Sequence, residues 1–295
     1  MALHNLNHWV KRHSRSHVYS ADPDKRIQEG VHFFPEEECG HDAVLATIQA
    51  HGARPNGILM GSAGSFNLDL IAAGGYAGGI LSDINIHQEI AWDHVFAIAA
   101  QVYADVQGGI IDPQHRRFVL AERLCMLPEL LAAHDPPVEL RDSSEIFKKL
   151  MMEELDRPGS FLAQDSTADH IMFLAASNAL VAITMDVLDR EAHESLRADM
   201  EMAGAVFDCI HRSNIGYYFR QNRDFYHGKS AAPHLDTYET MWENGALVAD
   251  AGTMAVAADF LVNEGYLSEC GQYNVMMERA LDYYHDAPTQ GTRRI

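Results

Sequence analysis

The stretch GILMGSAGSFNLDLIAAGGYAGGILSDIN, residues 57–85, decides the fold of this chain. It begins with a short apolar run that ends at glycine, continues with Leu68, Ile71 and Ala72 at helical spacing, and stops at a double glycine. A second strand follows and ends at Asp83, before a long helix that begins near Ile86. Because strands that alternate with helices favour a parallel sheet, we expect an α/β fold with a Rossmann-like, doubly wound and mostly parallel sheet.

Beyond this stretch, the pattern divides the chain into a cap, a sheet domain and an insertion. Residues 1–50 are predicted to form an N-terminal helical cap, and residues 51–295 a Rossmann-like domain. Within this domain, residues 108–169 change to amphipathic helices between proline-containing breaks. This change indicates a helical insertion, which is a candidate lid.

The alternation of strand and helix resumes after the insertion. The predicted strands are 178–189, 205–214 and 245–252. Residues 190–204 are predicted to form a helix that ends at Gly204. Residues 216–222 look like the start of another helix, and residues 254–266 fit either a helix or a strand.

Composition and charge exclude several classes of partner. At 295 residues, of which 47% are hydrophobic, the chain can bury a sizeable core. Its formal charge of −20, from 42 acidic and 22 basic residues, repels polyanions. We therefore expect no nucleic-acid partner and no membrane partner. The chain shows neither a long uncharged apolar run nor a signal-peptide pattern, so we expect a cytoplasmic protein, with homo-oligomerisation left open.

The N-terminal region carries two patterns that have more than one interpretation. Its first 26 residues are locally basic, through Lys11, Arg12, Arg15, Lys25 and Arg26. We favour a solvated tail here over an arm docked on the acidic body. Some residues are of the types that bind metals: histidines at i, i+4 spacing, and the CGHD stretch at 39–42. Nothing else in the sequence completes a metal site of fixed geometry, so we predict no metal.

A turn between the first strand and helix, and an acid at the end of the second strand, form the candidate binding constellation. In an open parallel sheet, ligands bind beyond the carboxyl ends of the strands, where Gly61 and Gly64 would let backbone approach closely. Asp83 follows Gly61 by 22 residues, at the position where a carboxylate accepts hydrogen bonds from ribose hydroxyls. The alternative to a binding site is that the glycines form a purely structural turn and that Asp83 is a solvated surface acid.

The same turn lacks the features of phosphate-binding loops. It reads Gly61-Ser62-Ala63-Gly64-Ser65, without the second and third glycines of G-x-G-x-x-G. No G-K-[ST] follows, and no lysine occurs in residues 57–85. A ribose-binding acid without a pyrophosphate cradle favours a nucleoside such as S-adenosylmethionine (SAM) over NAD or ATP.

Two further acids are expected at the same edge of the sheet. Asp186 closes one predicted strand and Asp208 lies in the next, each before a loop. Such positions suit contacts to an adenine amine or to the reacting group. A helix cap or a surface acid is the alternative for each.

Three motifs in this chain are GSAGSFNLDLI, DINIHQ and FDCIHRSNIGYYF. Together they resemble the SAM-binding core of 3-amino-3-carboxypropyl transferases of the betaine-lipid type. The matching residues are Ala63, Gly64, Asn67, Asp83, Asn85, Gln88, Ser213, Asn214 and Ile215. Upstream, Tyr19, Asp22 and Pro23 resemble a further family motif more weakly. Class I methyltransferases are similar at the same positions but usually place an acid two residues before the first glycine, where this chain has Leu59.

This resemblance implies SAM as the cofactor and transfer of the aminocarboxypropyl group. The upstream motif lacks the Trp-Glu pair of the lipid enzymes, and no basic amphipathic surface helix is apparent, so we expect a small-molecule acceptor. Cyclisation of the SAM side chain itself, methyl transfer, and non-catalytic binding of an adenosine ligand remain open.

The candidate residues for this chemistry lie around the turn, the second strand and the Ser-Asn-Ile loop. An amine acceptor must lose a proton, and an aromatic ring can orient a sulfonium. Candidate catalytic residues are Tyr19, Asp208, His211, Tyr217 and Tyr218. Candidate cofactor-binding residues are Gly61, Ser62, Ala63, Gly64, Asn67, Asp83, Asn85, Gln88, Asp186, Ser213 and Asn214. Structural roles are the alternative for His211 and for the two tyrosines of GYYF.

Overall fold

A computed structural model gives the arrangement of ten α-helices and six strands within the described part of the chain. The described residues are 6–13, 30–31, 33–34, 41–62, 64–83, 85–213, 235–258, 271–272 and 277. The helices are α1 Leu6–Val10, α2 His41–His51, α3 Phe66–Gly74, α4 Ile86–Gln107, α5 Arg116–Leu124, α6 Leu127–Ala132, α7 Ser144–Glu153, α8 Asp165–Ala176, α9 Arg190–Ala203 and α10 Leu235–Val248. The strands are β1 Gly57–Ser62, β2 Gly78–Asp83, β3 Leu180–Thr184, β4 Val206–Ser213, β5 Met254–Ala258 and β6 Gly271–Gln272.

The strands form one sheet in the order β3-β2-β1-β4-β5-β6. Strands β1 to β5 are parallel, and β6 pairs antiparallel with β5. The predicted α/β fold with a Rossmann-like, mostly parallel sheet is confirmed at this level. The chain winds outward from β1 to β3 and then returns to β4 on the other side of β1. The carboxyl ends of β1 and β4 therefore flank the point where the strand order reverses, which is where open α/β sheets bind ligands.

Helices cover both faces of the sheet, because the buried strands alternate between two hydrophobic cores. Leu59 points into a core shared with α2, α3, α4 and α8. Its neighbours Ile58 and Met60 point into a second core with α1, α9 and α10. All six residues of β1 are buried, as expected for a central parallel strand.

The first crossover follows its sequence signals closely. Helix α3 ends at Gly74, and Gly75 adopts a left-handed φ of 68°, which glycine tolerates without a Cβ penalty. Helix α4 begins after Asn85, whose side chain accepts a hydrogen bond from the His87 backbone N–H at 3.0 Å. The predicted order of strand, helix, strand and long helix is confirmed.

Helices α5, α6, α7 and the start of α8 occupy residues 108–169, where a helical segment is predicted. Helices α5, α6 and α8 pack on α4, α7 packs on α5 and α6, and together they extend the core that contains Trp92. A short segment, described at residues 30–31 and 33–34, joins this region through the Val31–Leu140 bridge, and Phe33 contacts Phe147 with ring centroids 5.4 Å apart. This segment therefore links the helical region to the β1–α3 turn, which it also contacts.

The described part of the basic N-terminal region, residues 6–13, is docked rather than solvated. Leu6 and Val10 are buried in the second core. The Lys11 ammonium lies 2.7 Å from a Glu89 carboxylate oxygen and also donates to Asp93. Arg12 and His13 both contact the buried carboxylate of Asp199. The favoured interpretation as a solvated tail is wrong for these residues, and we call residues 6–13 the docked arm.

One predicted strand is wrong. Residues 245–248 are the last turn of α10, and the strand lies further on, at Met254–Ala258. A four-residue apolar run does not distinguish the end of a buried helix from a strand. Residues 216–222 and 259–266 lie outside the described residues. None of the described helices combines the length and the apolar character needed to cross a membrane.

Candidate functional site

The β1–α3 turn lies at the carboxyl end of β1, beside the reversal of strand order. Ser62 ends the strand, and Gly64 adopts a left-handed φ of 54°. A Cβ at Gly64 would have open space, with the Phe33 carbonyl oxygen 3.8 Å away, so backbone conformation rather than crowding favours glycine here. Ala63 lies outside the described residues.

Asn67, on the first turn of α3, holds this turn together. It is buried, and its amide nitrogen donates to the backbone oxygens of Ser62 at 3.2 Å and Gly64 at 3.0 Å. A Cβ at Gly61 would lie 1.9 Å from the Asn67 side-chain oxygen. Gly61 therefore leaves room for Asn67, and the expectation that it brings bare backbone to a ligand is wrong.

His211 lies on β4 and contacts Asn67 of α3. Strand β4 is on the other side of the strand-order reversal from β1. The His211 Nδ1 lies 2.7 Å from the Asn67 Oδ1, and the His211 ring meets Phe66 edge to face with centroids 5.6 Å apart. His211 is buried and pairs across the sheet with Gly61. The candidates Gly61, Asn67 and His211 thus converge on one point beneath the turn.

Asp83 ends β2 and is half-buried, beside a small cleft. Its Oδ1 accepts from the Asn85 backbone N–H at 2.8 Å. The cleft is lined by Leu81, Ser82, Asp83, Gln88, Glu89, Trp92 and Ile183. The cleft is small: its empty volume, including its mouth, is about 150 Å³. These residues can contact one part of a nucleoside but do not enclose it.

The N-terminus of α3 is occupied by protein. The Ser65 backbone N–H donates to the Phe33 carbonyl oxygen at 2.6 Å, and Phe66 stacks on His41 with centroids 4.0 Å apart. Dinucleotide-binding folds rest a pyrophosphate on these first helical N–H groups. A pyrophosphate at this position would have to displace the Phe33 carbonyl.

A second polar group lies on the opposite face of the same sheet edge. Arg212, buried at 3% exposure, places its guanidinium 3.5 Å from the Ser62 hydroxyl and 3.4 Å from His193 Nε2. The His193 Nδ1 contacts the Asp189 backbone oxygen at 2.7 Å. Burial, together with the Arg212 charge, lowers the pKa of His193 from 6.5 to about 4. At neutral pH, His193 therefore carries no charge, donates from Nδ1 and accepts the Arg212 hydrogen bond at Nε2.

The two acids expected at this edge differ in position. Asp186 lies two residues beyond β3, is buried, and accepts from the Leu188 backbone N–H at 2.8 Å. Asp208 is the third residue of β4, near the amino end of the sheet, where it forms an ion pair with Arg54 and accepts from the Arg54 backbone N–H. Asp208 is therefore at the wrong end of the sheet for the proposed catalytic role, and that expectation is wrong.

One buried acid near the turn was not predicted. The Asp69 carboxylate, on α3, contacts the Arg157 guanidinium and accepts from the Phe161 backbone N–H at 2.7 Å. Burial raises the pKa of Asp69 to about 7, and the Arg157 charge opposes that rise. The sequence carries only a weak signal for this pair, an acid inside an otherwise apolar helix.

The remaining candidates fall outside what the structure describes. Tyr19, Asn214, Tyr217 and Tyr218 lie outside the described residues, and Ser213 is described only through its backbone pairing with Ala258. Within the described ranges, no three His, Cys, Asp or Glu side chains cluster as metal ligands would. No protein-family model matches the chain, and no curated protein matches its sequence.

Proposed function

We propose that this protein is a SAM-dependent transferase that moves a 3-amino-3-carboxypropyl group to a small soluble nucleophile. The observation that carries the proposal is the Asp83 carboxylate, half-buried at the carboxyl end of β2, one strand away from the strand-order reversal. In this fold, an acid at that position accepts hydrogen bonds from the hydroxyls of an adenosine ribose. Gln88 and Trp92 line the cleft beside Asp83.

The occupied start of α3 favours a nucleoside over a dinucleotide. Since the Phe33 carbonyl already accepts the Ser65 N–H, that N–H is not available to a pyrophosphate. SAM needs no such cradle, because its sulfonium and amino-acid portion follow the ribose directly. The motifs shared with aminocarboxypropyl transferases favour SAM among nucleosides.

The chemistry then depends on which carbon of the sulfonium faces the nucleophile. All three carbons on the sulfur are electrophilic, so positioning supplies most of the catalysis. Attack at the γ-carbon of the aminocarboxypropyl chain breaks its bond to sulfur, and the electron pair stays on sulfur in methylthioadenosine. Attack at the methyl carbon would instead leave S-adenosylhomocysteine.

The acceptor in this proposal is a small molecule met in the cytoplasm. The formal charge of −20 disfavours polyanionic acceptors and anionic lipid surfaces. Residues 1–50 act as the cap, and residues 108–169 as the insertion beside the pocket. Val31 and Phe33 contact Leu140 and Phe147, so the two regions are in contact.

Calorimetry with SAM and analysis of its by-products test the proposal together. Replacing Asp83 by Ala should weaken SAM binding by about 1–3 kcal/mol, because a charged acceptor is lost. The exposed Asp156→Ala is the matched control and should bind SAM as the wild type does. Equal affinity in Asp83→Ala and wild type would refute the ribose assignment.

The by-product distinguishes the reaction types. The protein is incubated with SAM alone and with glycine or putrescine as probe amines, and the products are identified by mass spectrometry. Methylthioadenosine supports aminocarboxypropyl transfer or cyclisation. S-adenosylhomocysteine would indicate a methyltransferase, and tight binding without either product would indicate a binding protein.

A further inference from the structure

We propose that the Trp92 indole N–H is a binding group of the cleft beside Asp83. In this proposal it donates to a ribose hydroxyl of the ligand, and the same hydroxyl donates to the Asp83 carboxylate. The inference rests on the proposed function and deepens it, because it names the group of the nucleoside that the cleft selects. It follows from a buried N–H that has no acceptor among the described residues.

Trp92 is a core residue that also lines this cleft. Its side chain is only 1% exposed. The N–H of a buried tryptophan usually has a hydrogen-bond partner. Within the described part of the chain, however, no atom accepts a hydrogen bond from Trp92 Nε1. A buried N–H left in this way costs stability, so its presence at a cleft points to an acceptor on a ligand.

The Trp92 ring is held in place by two aromatic neighbours. Its centroid lies 5.2 Å from that of Phe33 and 5.7 Å from that of Phe96. All three rings are buried in the same core. Because close packing restricts the rotation of buried side chains, the indole has little freedom to turn towards another acceptor. The acceptor must therefore come to Trp92.

Other polar groups that line the cleft are engaged by protein partners. One Glu89 carboxylate oxygen lies 2.7 Å from the Lys11 ammonium, and the other accepts from the Thr184 N–H and hydroxyl, both at 2.6 Å. The Ser82 hydroxyl donates to the Gly61 carbonyl oxygen at 3.4 Å. These contacts hold the walls of the cleft and leave the Trp92 N–H to a ligand.

A hydroxyl fits the hydrogen-bonding pattern of Asp83 and Trp92 better than other polar groups. Asp83 accepts, and the bond from the Asn85 N–H does not exhaust the roughly four acceptor positions of a carboxylate. Trp92 can only donate. An ammonium cannot accept from Trp92, and a carbonyl or phosphate oxygen cannot donate to Asp83. A hydroxyl does both at once.

The small size of the cleft also favours a single polar group. Its empty volume is about 150 Å³ including the mouth, and Leu81 and Ile183 supply apolar walls. One hydroxyl can reach Asp83 and Trp92 while the rest of the nucleoside stays outside. Because sites that hydrogen-bond a hydroxyl discriminate against analogues without it, we expect the cleft to select a ribonucleoside over the deoxynucleoside that lacks this hydroxyl.

Proton–nitrogen NMR of the full-length protein tests the Trp92 bond directly. The chain has three tryptophans, so the indole signal of Trp92 is assigned by elimination, from Trp9→Phe and Trp242→Phe. We expect adenosine to move this signal downfield. One of 2′-deoxyadenosine and 3′-deoxyadenosine, the one without the bridging hydroxyl, should leave it in place. Adenosine binding that does not move the Trp92 signal would overturn the inference.

Affinities measured by calorimetry separate a hydrogen bond from a structural effect. Trp92→Phe keeps a buried aromatic ring but removes the N–H, so it should weaken adenosine binding about 3–10-fold. It should leave the affinity for the deoxynucleoside without the bridging hydroxyl unchanged. Trp242→Phe, equally buried in the second core, is the matched control and should change neither affinity. Equal weakening of adenosine and both analogues by Trp92→Phe would refute the bond, and if this variant does not fold, the NMR of the wild type decides.

The same titrations distinguish this inference from the proposed function. If SAM binding depends on Asp83 but leaves the Trp92 signal in place, the inference fails and the proposed function stands. If adenosine moves the signal but SAM yields neither methylthioadenosine nor S-adenosylhomocysteine, the inferred hydroxyl site stands and the transferase fails. If neither adenosine nor SAM binds, both are refuted.

Discussion

Lowering the pH from 7 to 4 should destabilise the fold by about 3 kcal/mol through one buried side chain, His193. Its pKa is lowered from 6.5 to about 4 by burial and by the adjacent Arg212 charge. Between these two values the unfolded chain binds a proton that the folded protein does not. Stability is therefore fully present above pH 6.5 and falls as the pH approaches 4. A difference of about 2.5 pKa units, at about 1.4 kcal/mol each, gives about 3.5 kcal/mol in all, of which about 3 kcal/mol is lost by pH 4, where the folded side chain is half protonated.

The difference between wild type and His193→Asn isolates this contribution. The Asn side chain retains a donor for the Asp189 oxygen but does not titrate, and both proteins share every other titrating group. Urea unfolding at pH 7, 6, 5 and 4 gives the free energy of unfolding of both proteins. The comparison is valid where the wild type and the variant have equal m-values. The stability advantage of the wild type should shrink by about 3 kcal/mol across this series. Parallel curves would refute the assignment of a neutral, buried imidazole.

Three further changes test the docked arm, the turn and the misplaced acid. Lys11→Ala should lower the free energy of unfolding by about 1 kcal/mol, less in 1 M NaCl, whereas Lys149→Ala, which loses only a contact within its own helix, should change it little. Gly64→Ala should cost about 1–2 kcal/mol by thermal unfolding, because φ is 54° while space is open. Asp208→Ala should cost about 3 kcal/mol by leaving Arg54 without its buried partner, and calorimetry should find SAM affinity unchanged.

The first crossover was predictable because each of its signals is local. Strand β1 is an uninterrupted apolar run, Gly75 stops α3, and Asn85 caps α4. Each signal acts within a few residues of the structure that it determines. The parallel order then follows from the alternation of strands and helices.

The errors concern where an element sits in three dimensions. Asp208 belongs to a correctly predicted strand, but the strand pattern does not tell which end of the sheet is nearer to a given residue. The run at residues 245–248 is apolar because α10 is buried, and burial alone fits a helix or a strand. In both cases, tertiary packing supplies the missing information.

The polar contacts within the site were only partly predictable. Asn67 and His211 were both candidates, yet their hydrogen bond joins residues 144 positions apart, and no local pattern encodes it. The Asp69–Arg157 pair joins residues 88 positions apart in the same way. The predicted role of Gly61 was wrong for the same reason, since its real neighbour is the Asn67 side chain.

The docked arm also affects how the molecule behaves in a concentrated solution. Strand β3 stands first in the sheet order, so one of its sides is not paired with another described strand. The arm contacts this side: the Asn7 N–H binds the Asn178 oxygen at 3.2 Å, and the Lys11 ammonium binds the Ala182 oxygen at 2.9 Å. Carbonyls engaged in this way are poor templates for a strand from another molecule. A chain truncated to begin after His13 would expose them and should aggregate through β3.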